Sequence, residues 1–298
     1  MPSIKEFRLR IRSLQNTRKI TSAMKLVASS KLKRAQGARL KSATWIRRVD
    51  GLCGRLLSAP GVSHPLAAVR PERRVRVVVL SSDRGLCGNF NHRVLREAQA
   101  VCEAKAAAGA ELEIVAVGRR ALAFFRKGPW ADRTVAGPDL AKAKVNAVAG
   151  ELRRAAVADF ASGRIDALYL VGNECESALV QRPVSRRLLP TDLGPDAPAG
   201  GVDGTATGAE ARTEYVMEPS PARLLDAMLP LRLHAQLLRA LFESLVGEHG
   251  ARMAAMDSAT RNSGDLIDRL TLMANRARQS AITTELTEIV SGAEALKG

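Results

Sequence analysis

Toward the C-terminus, apolar and small residues return every three or four positions: Leu266, Leu270, Met273, Ala277 and Ala281, then Leu286, Ile289 and Ala293. A 3-4 repeat of this length predicts a coiled-coil seam rather than an ordinary amphipathic helix. No proline follows Pro230, so a helix from Leu231 to Leu296 would be on the order of 100 Å long at ~1.5 Å per residue. The N-terminus opens in the same way. Ser3 and Glu6 have capping-box spacing, and Ile4, Phe7, Ile11 and Leu14 lead to Ile20, Met24 and Val27 at helical intervals. Thr17 bridges the missing turn, which predicts a one-residue slip of the heptad. The pattern continues through Leu32, Ala35, Leu40 and Ile46 until Ser58-Ala59-Pro60-Gly61 stops it. Pairing the two narrow stripes, antiparallel, is the simplest way to hide both.

Between the helices the pattern changes. Arg74 to Ser82 is short and β-branched, a buried strand; Asp83 to Asn89 is a turn, and Phe90 to Ala107 reads as helix. Glu111 to Val117 predicts a second strand, Arg119 to Arg126 a short helix, Leu140 to Ser162 a longer one, and Ile165 to Val171 a third strand. Strands alternating with helices predict a parallel, doubly wound sheet. Residues 176–189 and 212–218 read as further extended pieces, and the Gly/Ala/Pro-rich stretch 193–212 as a mobile loop. Ser220-Pro221 restarts a helix with serine at the cap and proline at the first position, and Pro230 should kink or break it. Gly247, Gly250 and Gly264 inside that helix allow either close approach of a neighbour or a place to flex. The expected fold class is α/β: a long antiparallel coiled coil of the N- and C-terminal helices with an inserted, doubly wound, mostly parallel α/β domain. Its parts are a helix over 1–60, an α/β domain over 70–218 and a helix over 219–298.

Composition narrows the function. Apolar residues make up 46 % of the 298 and aromatics 3 %, a mix suited to helices packed through small and aliphatic side chains. Net charge is +16, and residues 1–60 hold fifteen Lys or Arg against only Glu6 and Asp50. Such a basic helix wants an acidic partner: nucleic acid, an anionic membrane or an acidic protein surface. The charges interleave with a regular apolar stripe and few aromatics accompany them, which favours the protein partner; a basic coiled-coil nucleic-acid-binding protein is the alternative. No apolar run reaches ~18 residues, and the N-terminus lacks a signal-peptide core, so no membrane insertion is expected. The cysteines (53, 87, 102 and 175) are far apart and read as isolated reduced thiols. The Gly85–Gly88 turn stands between a strand and a helix, where a phosphate could rest. Its spacing fits no nucleotide-binding motif, so a structural turn is the better reading. No catalytic, cofactor or metal constellation is visible, and the chain is not expected to be an enzyme by itself.

Both ends resemble one family, the gamma subunit of the F-type ATP synthase. Lys5-Glu6-Phe7-Arg8-Leu9-Arg10-Ile11-Arg12-Ser13 and Asn16 to Ala28 are similar to its N-terminal signature. Asn275-Arg276-Ala277-Arg278-Gln279 with Ile282 to Ala293 is similar to its C-terminal one, and Ser81 to Gly88 to its central turn. The resemblance implies a coiled-coil shaft inside a ring of three alpha and three beta subunits. The α/β domain would stand on the c ring beside an epsilon subunit, at the cytoplasmic face of a bacterial inner membrane. It also implies roles. Arg278 and Gln279, with Thr283 one turn on, would bond a beta-subunit loop, and Met24 and Lys25 would lie near the acidic lever of beta. Lys31, Lys33 and Arg34 would face that lever or the c ring, while Leu286, Ile289 and Val290 would turn in an apolar bearing. Ala274 stands where the family often has an aromatic, implying looser packing, and the plant-type regulatory cysteine pair is missing.

Overall fold

The computed structural model describes residues 4–57, 63–140, 142–175, 180–191, 218 and 220–295. The capping serine Ser3, the stop at 58–61, the loop 193–212 and most of the extended piece 212–218 lie outside the described residues. The chain forms two compact units, one of Met1–Ser29 with Arg252–Gly298 and one of Ser30–Ala251.

The larger unit is built on a five-stranded sheet in the order β3-β2-β1-β4-β5. The strands are β1 (Arg74–Leu80), β2 (Glu111–Val117), β3 (Thr134–Ala136), β4 (Ala167–Cys175) and β5 (Gln181–Leu189). β1 pairs in parallel with β2 and with β4, β2 with β3, and β5 closes the edge antiparallel to β4. The valine run of β1 is buried on both faces, as a central parallel strand demands. Val75, Val77 and Val79 pack with Ile114 and Ala116 against α2 (Phe90–Ala107) and α3 (Arg119–Phe125), through Val94, Ala98, Cys102 and Phe125. Val78 and Leu80 face the other way, with Leu168, Leu170 and Leu188, onto α4 (Val145–Ala161) and the start of α5 (Pro221–Ala295). There Leu225, Leu229, Leu233, Leu237 and Leu241 recur every fourth residue and lie fully buried on that face. The second half of α1 (Ile4–Leu57) joins them: Ile46, Val49 and Cys53 cluster with Ala235, and Asp50 holds Arg232 at 3.0 Å.

Expected and observed elements differ where tertiary packing overrides local preference. β3, only three residues long, is not foreseen, and α4 begins at Val145 rather than Leu140. β4 runs on to Cys175 because β5 extends its ladder. Ser220 Oγ accepts from the Arg223 amide at 3.4 Å, as a capping serine should. Pro230 does not break the helix: α5 is continuous from Pro221 to Ala295. Leu229 and Leu233 beside it are fully buried, and that packing outweighs the ~3 kcal/mol penalty of an interior proline.

The smaller unit is a pair of helical segments, residues 4–29 of α1 and 252–295 of α5. On α1, Phe7, Ile11, Leu14, Thr21, Lys25 and Ala28 are buried or half-buried, as is Met24 beside them; with exposed Arg18 the first six make an unbroken alternation of fours and threes. On α5 the same alternation runs through Met256, Thr260, Ser263, Ile267, Leu270, Ala274 and Ala277. The expected seam is therefore corrected in phase. Leu266 and Met273 are 45 % and 50 % exposed, and Ile20 and Val27 60 % and 57 %. No slip occurs at Thr17, because the seam accepts polar residues at 18, 21 and 25 rather than the larger apolar ones nearby.

Candidate functional site

Two places invite a ligand or partner: the carboxyl ends of the strands and the surface of the coil. At the first, β1 leads to β2 on one side and borders β4 on the other, the switch point where α/β sheets commonly bind ligands. Here the polar groups serve the fold. Asn91 Oδ1 accepts from the Ser82 amide at 3.0 Å and Asn91 Nδ2 donates to Ser82 Oγ at 2.8 Å. Ser81 Oγ accepts from the Ala121 amide at 2.9 Å and Asp83 Oδ1 from the Arg119 amide at 3.0 Å, so both cap the start of α3. Gly118 takes φ 98°, and a Cβ there would stand 2.3 Å from the Ser81 carbonyl oxygen, so only glycine fits. Gly247 of α5 closes the far side: a Cβ on it would lie 3.1 Å from both Cys175 Sγ and a Phe90 ring carbon. Its carbonyl accepts from Gln181 Nε2 at 2.9 Å. The Ser81–Asn91 segment thus ties β1, α2 and α3 together. Among the described residues, no group of three or more His, Cys, Asp or Glu is placed to hold a metal.

The coil is the other candidate. Lys25 Nζ donates to Asp257 Oδ1 at 2.6 Å, and Arg261 reaches the other oxygen of that carboxylate at 2.9 Å. The hydrogen bond from Lys25 and the charge of Arg261 hold the Asp257 carboxyl below its ordinary range. Met24 beside it is half-buried. This cross-helix ladder puts Lys25 beside Asp257 and Thr21 beside Thr260. Continued along the antiparallel pair it reaches Ile4, the first described residue of α1, opposite the turn before Arg278. Burial follows the ladder: Ala274 and Ala277 are half-buried, and every described side chain from Arg278 onward is exposed.

The residues singled out by the C-terminal resemblance stand on this uncovered stretch. Arg278 Nη2 donates to Asn275 Oδ1 at 3.1 Å, and Thr283 Oγ1 donates to the Gln279 carbonyl at 3.0 Å. Asn275, Gln279 and Thr283 stand on successive turns of α5, with Arg278 next to Gln279. Leu286, Ile289 and Val290 follow at 57 %, 62 % and 58 % exposure. Lys31, Lys33 and Arg34 are exposed on α1 and lie in the sheet-bearing unit. The expected site residues therefore form separate groups along the two helices. Sequence reasoning missed Thr21 and Thr260, whose signal was present in the 4-3 spacing but carried by polar side chains, and Asp257, which stands beside the seam and shows itself only through Lys25.

The chain matches the protein-family model described as ATP synthase over residues 3–296. It is 39 % identical over 305 residues to the ATP synthase gamma chain of Pelotomaculum thermopropionicum and 41 % identical over 304 residues to that of Anaeromyxobacter sp. strain Fw109-5. Each alignment covers 100 % of both chains. The fold is similar to a chain of the Euglena gracilis mitochondrial ATP synthase rotor, with a TM-score of 0.63 at 18 % identity, covering 94 % of this chain and 98 % of that one. Matched end to end at this level of identity, the chain belongs to the ATP synthase gamma-chain family.

Proposed function

We propose that this chain is the central-stalk rotor subunit of a bacterial ATP synthase. It couples ion-driven rotation of the c ring to conformational change at the catalytic sites of the beta subunits, and runs in reverse during hydrolysis. It is a non-catalytic subunit. Its partners are three alpha and three beta subunits around the coil, an epsilon subunit, and the c ring. The complex would hold it peripherally at the cytoplasmic face of the inner membrane; none of its described helices is long and apolar enough to cross one.

One observation carries this reading. Past Ala277 no described residue of α1 lies opposite the C-terminal helix, and Leu286, Ile289 and Val290 stand exposed on it. A lone helix of this kind is marginal in water, so a surrounding sleeve is what would hold it. Aliphatic groups suit a sliding contact, because fixed ion pairs would have to break at every step. In this reading Met24, Lys25, Arg278, Gln279 and Thr283 contact the alpha/beta ring, and Leu286, Ile289 and Val290 form the bearing. Lys31, Lys33 and Arg34 face the acidic lever of beta or the c ring.

Reconstitution tests it. The chain should co-purify with alpha and beta subunits, hydrolyse no ATP alone, and rotate under a probe fixed to its α/β domain when the ring turns over. Tight binding of the isolated chain to duplex DNA at physiological salt, with no ring assembly, would refute it.

A further inference from the structure

Where α1 runs from Arg18 to Ala28, the seam observed in the smaller unit is not the most apolar one available. On α1, Ile20, Met24 and Val27 lie four and three residues apart off the seam; on α5, Leu266 and Met273 stand two turns apart beside the seam residues Leu270 and Ala277. At 3.6 residues per turn the α1 stripe lies about 100° from the seam and the α5 stripe about 60°. In an antiparallel pair with this ladder both fall on one flank. The opposite flank is polar: there Lys25 leaves the seam to meet Asp257 at 2.6 Å, and Arg18 lies over Gly264 with Cζ 3.8 Å from where a Cβ would stand. Between them Thr260 Oγ1 donates to Thr21 Oγ1 at 2.8 Å, and Thr21 donates to the Arg18 carbonyl at 3.1 Å. Apolar layers bracket this section, Phe7 and Ile267 on one side, Ala28 and Met256 on the other.

We propose that the polar layers Arg18/Gly264, Thr21/Thr260 and Lys25/Asp257 select the helical phase of this coil. They hold Ile20, Met24, Val27, Leu266 and Met273 out of the seam and on one outer flank. A polar residue at a seam position is known to choose one packing among several at a cost in stability. Here the alternative is written in the same sequence: rotating both helices toward the apolar flank would bury the aliphatic stripes. It would also separate Thr21 from Thr260 and Lys25 from Asp257, removing the contacts that distinguish the two phases. The coil is thereby left two-faced, with one apolar and one charged flank.

Methionine oxidation in the full-length chain reads the phase directly. Met273 is half-exposed and Met256 is 5 % exposed, so in the native phase Met273 oxidises quickly and Met256 slowly. Lys25→Asp places two carboxylates together and should invert this preference, slowing Met273 about fivefold and quickening Met256, with exposure setting both rates. Lys25→Asp/Asp257→Lys restores the pair and should return the wild-type rates. Adding Ile20→Lys to Lys25→Asp forbids burial of the apolar flank and should return Met256 to its slow rate. An unchanged Met273-to-Met256 ratio in Lys25→Asp at wild-type helicity overturns the proposal, as does failure of Ile20→Lys to rescue. Should Lys25→Asp not fold, Lys25→Ala carries the same readout, and an unaltered ratio there overturns the proposal equally.

Discussion

Glu72 shows how a single side chain is governed by what surrounds it. Burial would raise its pKa, but hydrogen bonds from Lys105 at 2.6 Å and Tyr169 at 2.9 Å outweigh that and hold it below the ordinary value. A carboxylate with a depressed folded pKa contributes stability that is present above the unfolded value of ~4.3 and disappears as pH falls through the folded one. Glu72→Gln should therefore lower Tm at pH 7, and the difference from wild type should close below about pH 4, followed by thermal melts across that range. The cysteines behave in the opposite sense. Burial pushes the Cys53 and Cys175 thiols up to about 11 and Cys102 to about 12. Only the thiolate is a nucleophile. These three should resist a thiol reagent at pH 8 in the native chain and react at once in denaturant; rapid native labelling would show that the sheet unit opens.

Among the secondary-structure elements, two glycines of α5 have opposite meanings. Gly247 packs where a methyl would press on Cys175 and Phe90 at 3.1 Å, whereas a methyl on Gly264 would meet only the Arg18 guanidinium at 3.8 Å. Replacing an interior helix glycine with alanine gains ~1 kcal/mol where space permits, and overpacking a buried site costs ~1–3 kcal/mol. Gly264→Ala should raise Tm and Gly247→Ala should lower it, both measured by calorimetry. From the sequence alone both were glycines in a helix, equally fit for close approach or for flexing. Their surroundings separate them, because the neighbour of Gly247 arrives from β4 and α2, far away in the chain. The strands β1 and β2 were legible for the opposite reason. A β-branched run between turns has few ways to be buried, and a central parallel strand is one of them.

In the whole molecule, the proposed rotor role separates folding from function. Arg278→Ala and Gln279→Ala alter exposed side chains, so the chain should keep its stability within ~0.5 kcal/mol. Turnover of the assembled complex should fall about tenfold for Arg278→Ala, the loss of one charge-assisted hydrogen bond worth ~1.5–3 kcal/mol. Serine at Leu286, Ile289 and Val290 together should slow turnover less than that, since a bearing needs only a smooth surface. Steady-state hydrolysis by the reconstituted ring checks both, and wild-type turnover in the arginine variant would remove its assigned contact.

The division between sequence and tertiary structure is clearest in the coil. That both ends are long helices, that they carry narrow seams, and that an α/β unit lies between them all follow from the spacing of apolar residues, a local property. Which residues form the seam does not follow. Ile20, Val27, Leu266 and Met273 are the stronger hydrophobes, yet Thr21, Ala28 and Ser263 are buried in their place. Periodicity ranks residues by their own affinity for an apolar phase. The phase of a helix pair is set instead by partners that meet only across it, here Lys25 with Asp257 and Thr21 with Thr260.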